Sequence, residues 1–128
     1  MLVGFGNLTM PQKKAAIEKE NSARYAEVYH HEALHKSAAG SFGGAIVIEK
    51  DSNGLITGGH VPIQMPAMDK KNPEKTKNHA EIVFRAAMAP SDPSSQDYKV
   101  AAEAKNMISL ANKAIYDKKI GKKLDAIG

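Results

Sequence analysis

The sequence predicts an α+β fold, and three features point to it. Beyond Pro11 no glycine or proline interrupts the chain until Gly40, which permits one long helix. A β-branched run, Ala45-Ile46-Val47-Ile48-Glu49-Lys50, is followed by the turn-forming Asp51-Ser52-Asn53-Gly54 and then Leu55-Ile56-Thr57, the pattern of an antiparallel hairpin. Two later stretches repeat apolar residues at helical spacing, with Ala80, Val83, Phe84, Ala87 and Met88 in the first, and Ala101, Ala104, Ile108 and Ala111 in the second.

Each element has its own local reason. Thr9 and Gln12 stand at capping-box spacing, and Pro11 is tolerated in the first turn. A break near Asn21-Ser22 is the alternative to an unbroken helix. Gly40 is a natural terminator. After the hairpin, Gly58-Gly59 marks a bend or bulge, and His60 to Met65 alternates as a strand in which Val61, Ile63 and Met65 share a face. Pro62 confines that strand to an edge or a bulge. Asn72-Pro73 opens the next helix, which stops before Pro90. Ser94 caps the last helix with Asp97 favourable in its first turn, and that helix is expected to end near Lys118. Residues 1–128 read as one domain, with 1–8 and 119–128 as flexible ends.

Composition narrows the chemistry. Hydrophobic residues make up 42% and charged residues 25%, ordinary for a globular chain. With no cysteine, thiolate ligands and disulfides are excluded, so a metal site must draw on His, Asp or Glu. The net charge of +4 comes from lysines that read as solvated helix faces, without the interleaved aromatics of a nucleic-acid surface. No nucleic-acid partner is expected. No apolar run approaches a membrane span, and the first ten residues lack the basic and apolar regions of a secretion signal. The cytoplasm is therefore the expected compartment, with signal-free export left open. There is no glycine-rich phosphate loop and no serine nucleophile elbow.

What the sequence does offer is His31-Glu32-Ala33-Leu34-His35. On a helix, residues i and i+4 share a face, so both imidazoles can reach one ion while Glu32 acts as general base. Two ligands do not make a tight site. His60 is the expected third, because it follows Gly58-Gly59 and a hairpin can return over the helix that precedes it. His79 is the rival, either as third ligand or as a group that stabilises an oxyanion. His30 projects about 100° away around the helix and is not expected to co-ligate. Tyr25 and Tyr29 read as packing residues, with donation to a tetrahedral intermediate as the alternative.

From His31 to about Ala104 the chain resembles the bacterial SprA-related family, which carries a metalloprotease label. The matching residues are His31-Glu32-Ala33-Leu34-His35, Gly58-Gly59-His60-Val61, and Arg85-Ala86-Ala87-Met88-Ala89-Pro90-Ser91-Asp92-Pro93-Ser94-Ser95-Gln96-Asp97. Where the family pattern has Glu after the glycine pair, this chain has His60; both residue types bind zinc. The resemblance implies a small zinc-dependent protease acting on a peptide or protein substrate. It also implies a link to motility in some members. The Pro90–Asp97 segment reads physically as a rigid connector and helix cap. The expected function is thus a zinc metallohydrolase of minimal zincin-like build. The alternative is a non-catalytic zincin-like binding or scaffold protein, for which the resemblance implies a motility-related role.

Overall fold

The computed structural model describes residues 7–127, with side chains described through 126. Residues 1–6 of the expected flexible arm lie outside the described residues. Among the described residues the order is helix α1 (Met10–Ala39), a single 3₁₀ turn (Gly40–Phe42), strands β1 (Val47–Lys50) and β2 (Ile56–His60), helix α2 (Pro73–Ala87) and helix α3 (Ser95–Ile127). The fold is α+β, as expected.

The start of α1 is held by the Thr9–Gln12 box. The Gln12 N–H donates to Thr9 Oγ1 at 3.3 Å, and the Thr9 N–H donates to Gln12 Oε1 at 2.8 Å. The helix is unbroken at Asn21-Ser22. The Asn21 amide is instead spent on the hairpin: its Nδ2–H donates to Gly54 O at 2.9 Å, and its Oδ1 accepts from the Ile56 N–H at 2.8 Å. At 1.5 Å per residue, α1 extends about 45 Å. It stops at Gly40, whose φ of 57° is the left-handed region that favours glycine.

The two strands pair antiparallel with Val47 opposite His60 and Ile48 opposite Gly59. Asp51 organises the turn by accepting from the Asn53 and Leu55 N–H groups at 2.8 and 3.0 Å. Of the bend or bulge expected at Gly58-Gly59, a bulge is present next to the pair: Glu49 stands opposite Gly58 and Lys50 opposite Ile56, which leaves Thr57 as the extra residue of β2. The glycine pair itself lies inside β2. The reason is close approach to α1. A Cβ on Gly59 would stand 2.7 Å from Val28 Cγ1, 2.8 Å from Val47 O and 3.3 Å from Glu32 Cγ. Beyond His60 the extended chain continues as one bridge, Gly43 to Ile63. There Pro62 O accepts from the Gly44 N–H and the Gln64 N–H donates to Phe42 O.

Helix α2 lies against both α1 and α3. Its buried face is Pro73, Thr76, Ala80, Val83, Ala86 and Ala87, small enough for close helix contact. Phe84 and Met88, expected on that face, are only half-buried. Helix α3 answers with Ala101, Ala104 and Ala111, all buried. It does not end near Lys118. It runs through Gly121 to Ile127, because one glycine costs only about 1 kcal/mol in a helix and no proline follows. Lys118 pairs with Glu74 of α2 at 3.5 Å, tethering this extension at its base. No helix among the described residues is long and apolar enough to cross a membrane.

Candidate metal centre

Two helices bring functional side chains to one point, and a third supplies a backbone carbonyl beside it. Helix α1 contributes His31 and His35, one turn apart on the face turned inward, and α3 contributes Asp97 from its first turn. His31 Nε2 lies 3.2 Å from His35 Nε2. Asp97 Oδ2 lies 3.2 Å from His31 Nε2 and 3.1 Å from His35 Nε2. Ligand atoms on a tetrahedral zinc, each about 2.05 Å from the ion, are spaced about 3.3 Å apart. The triangle therefore has the size that such an ion requires.

Hydrogen bonding around the triangle argues the same way. His35 is 3% exposed, and its Nδ1–H donates to Ala86 O at 2.7 Å. A carbonyl can only accept, so Nδ1 carries the proton, and Nε2 of the neutral ring is a lone pair. That lone pair faces the Asp97 carboxylate. Two acceptors at this distance repel unless a cation, either a metal ion or a second ring proton, lies between them. The Ala86 carbonyl, which also accepts from the Ala89 N–H at 3.3 Å, has room for this bond for a local reason. In a continuing helix it would accept from the residue at position 90, and Pro90 has no N–H. His31 has an outer partner too, with Nδ1 3.4 Å from Asp92 Oδ1. Such outer carbonyls and carboxylates orient imidazoles on metals.

The α3 start positions Asp97. Its Oδ2 accepts from the Ser94 N–H at 2.8 Å, and Ser94 Oγ accepts from the Asp97 N–H at 3.1 Å, a reciprocal cap. Burial pushes the Asp97 carboxyl up, but the Ser94 N–H, His35, the Ser94 hydroxyl and His31 together outweigh it and hold the group below the usual aspartate range. Glu32 is 6% exposed, with Oε1 3.9 Å from His31 Nε2. Burial pushes its carboxyl above the usual glutamate range, tempered by His35 and His31.

Among the described residues the metal-capable group is thus His31, His35 and Asp97, and the third position expected for His60 is taken by Asp97. The strand geometry gives the reason. Gly59 is the β2 residue that abuts Glu32, so its neighbour His60 points to the other side of the strand. His60 is exposed and hydrogen-bonds Glu49 Oε1 through Nδ1 at 2.7 Å. It lines a cavity of about 440 Å³ together with Glu32, His35 and Asp97, so it stands at the rim of the same site. His79 is elsewhere, stacked on Phe42 with ring centroids 3.6 Å apart and bonded through Nε2 to Gln64 O at 2.7 Å. His30 is exposed. Tyr25 and Tyr29 stack on each other at 5.7 Å and are exposed. Asp97 was not among the expected metal-capable residues because its place in the first turn of a helix capped by Ser94 already accounted for its charge. The signal that could have found it is an acid placed at a helix start within a proline-stiffened connector.

Comparison with curated proteins and with solved structures returns no match. The sequence model of the SprA-related family matches residues 7–123, which include every residue of the triangle and Glu32. That match spans nearly all of the chain, which belongs to the SprA-related family.

Proposed function

We propose that this chain is a zinc-dependent hydrolase acting on peptide bonds, with His31, His35 and Asp97 holding the ion and Glu32 as general base. The observation that carries the reading is the triangle itself: two imidazole nitrogens and a carboxylate oxygen within 3.2 Å, with the His35 ring oriented by its Nδ1–H bond to Ala86 O. Zinc, when bound, would act as a Lewis acid that acidifies water and polarises a carbonyl. Everything else falls to the chain. Glu32, on the helix turn that carries His31, takes a proton from the attacking water and returns it to the departing amine. Its buried setting suits a carboxylate that must hold a proton for part of the cycle. His60, whose Nδ1–H donates to Glu49, keeps Nε2 as an acceptor for a substrate N–H at the cavity rim.

An extended peptide has a wall to lie on. Pro62 and Gln64 direct their backbone bonds to residues 42–44. By strand alternation the N–H and C=O groups of Val61 and Ile63 face the opposite way, and both residues line the cavity. Pro62 thus leaves that edge usable, since its missing donor lies on the paired side.

Purified protein should take up one equivalent of zinc, read by isothermal titration and elemental analysis. Asp97→Ala should weaken zinc binding by a factor of about 100 or more, as for a lost ligand. Glu32→Gln should retain zinc and lose cleavage of a fluorogenic peptide mixture by about 100-fold or more. Wild-type protein that binds zinc yet cleaves nothing in a broad peptide library would overturn the hydrolase reading in favour of a metal-stabilised scaffold.

A further inference from the structure

The walls of the cavity have a marked chemical bias. Val61, Ile63 and Met65 form one apolar side, with Val100 opposite on α3. The charged residues that line it are Glu32, Glu49, Asp97 and Glu103, and no lysine or arginine does so, in a chain whose net charge is +4. His60 is the sole lining group able to carry a positive charge apart from His35, and it is engaged with Glu49. Glu32 is more than nine-tenths buried, and among the described residues its nearest ionic neighbour is His31 at 3.9 Å. The cavity therefore opens onto the carboxylate of the mostly buried Glu32 as well as the metal-binding triangle.

Glu103 completes the picture. Asp97, Val100 and Glu103 follow one another at three-residue intervals along one side of α3, and all line the cavity. The six steps from Asp97 to Glu103 correspond to a rise of about 9 Å. A lysine or arginine side chain rooted beside the triangle could lay its methylenes on Val100 and bring its cationic end to Glu103.

We propose that this cavity is a specificity subsite for a basic side chain, lysine or arginine, next to the bond that is cut, with Glu103 as its charge partner. The assignment rests on the hydrolase reading for the word "cut", but recognition of the basic side chain can be tested apart from cleavage. Zinc-loaded Glu32→Gln protein is mixed with fluorescent peptides that share one sequence and differ at a single position, carrying arginine, norleucine or glutamate. Anisotropy should rank arginine first, about tenfold tighter than norleucine and tighter still than glutamate, the size of one partly desolvated ion pair. Glu103→Gln should erase the arginine preference, and Glu103→Lys should turn it towards glutamate, each with zinc content unchanged. Equal affinity for the three peptides, no binding of any, or a preference for arginine that survives Glu103→Lys would overturn the subsite. Arginine-first binding without cleavage by the wild type would uphold the subsite and defeat the hydrolase reading.

Discussion

At the scale of single residues, two carboxyls in one site are pushed in opposite directions, and their pH signatures differ in sign. The folded protein holds Asp97 below its ordinary value. Its ionised form therefore contributes stability at every pH above the unfolded aspartate range, and that contribution fades as pH falls through the lower folded value. Glu32 is raised by burial, so its ionisation costs stability once pH climbs above the unfolded glutamate range. For metal-free protein, Asp97→Asn should flatten the acid limb of a stability-against-pH curve from denaturant titrations. Glu32→Gln should raise Tm at neutral pH and leave it little changed at pH 4. A Glu32→Gln protein that melts lower than wild type at pH 7 would show that the charge is better compensated than its burial implies. The glycine pair gives a second contrast. Gly59→Ala would drive a methyl into Val28 and the Val47 carbonyl, at a cost of about 1–3 kcal/mol, and press on Glu32. Gly58→Ala meets nothing within 4 Å and should be nearly silent in the same melts.

At the scale of elements, what was legible in the sequence was whatever short-range pattern controls. The Thr9–Gln12 box, Gly40, Asn72-Pro73 and Ser94 each set a helix end where residue chemistry said they would. The two histidines of α1 share a face because helical spacing alone demands it. What was illegible depends on partners distant in the chain. Asn21 looks like a helix breaker in isolation, yet it satisfies two backbone groups of the hairpin more than thirty residues on. Gly58-Gly59 reads as a bend or bulge; the bulge falls at Thr57 just before it, but the press of α1 on Gly59 has no local signal. Asp97 joins His31 across 66 residues, a meeting no local rule anticipates. The Asn21 anchor has a direct test. Asn21→Ala leaves the Ile56 N–H and Gly54 O without that partner in a part-buried setting, and should cost about 1–3 kcal/mol in urea unfolding. A loss much below that range would mean water takes over both bonds.

At the scale of the whole molecule, the site is where separate helices are clamped together. His31 and His35 belong to α1, the carbonyl that orients His35 to α2, and Asp97 to α3. A bound ion would therefore cross-link the first and last helices and stabilise the fold by mass action. Zinc at 100 times its Kd should add about 2.7 kcal/mol, seen as a rise in Tm that EDTA reverses and that His35→Ala abolishes. No change in Tm with saturating zinc would separate the triangle from the fold's stability. The alanine-faced contact of α2 with α3 supports the same geometry, since larger residues at Ala86 or Ala104 would push apart the helices that present the donors.

Pro90 touches none of the three donor atoms, yet it governs one of them. By withholding an N–H from the end of α2, it keeps a further donor off the Ala86 carbonyl, which His35 shares with the Ala89 N–H, and so favours the ring nitrogen that faces inward. With Pro90→Ala, the helix would gain a competing donor for that oxygen. Nitrogen-15 NMR of the imidazoles should then report a mixture of His35 tautomers in metal-free protein, where the parent shows one. Control over a coordinating atom would thus sit in the backbone chemistry of a neighbouring turn.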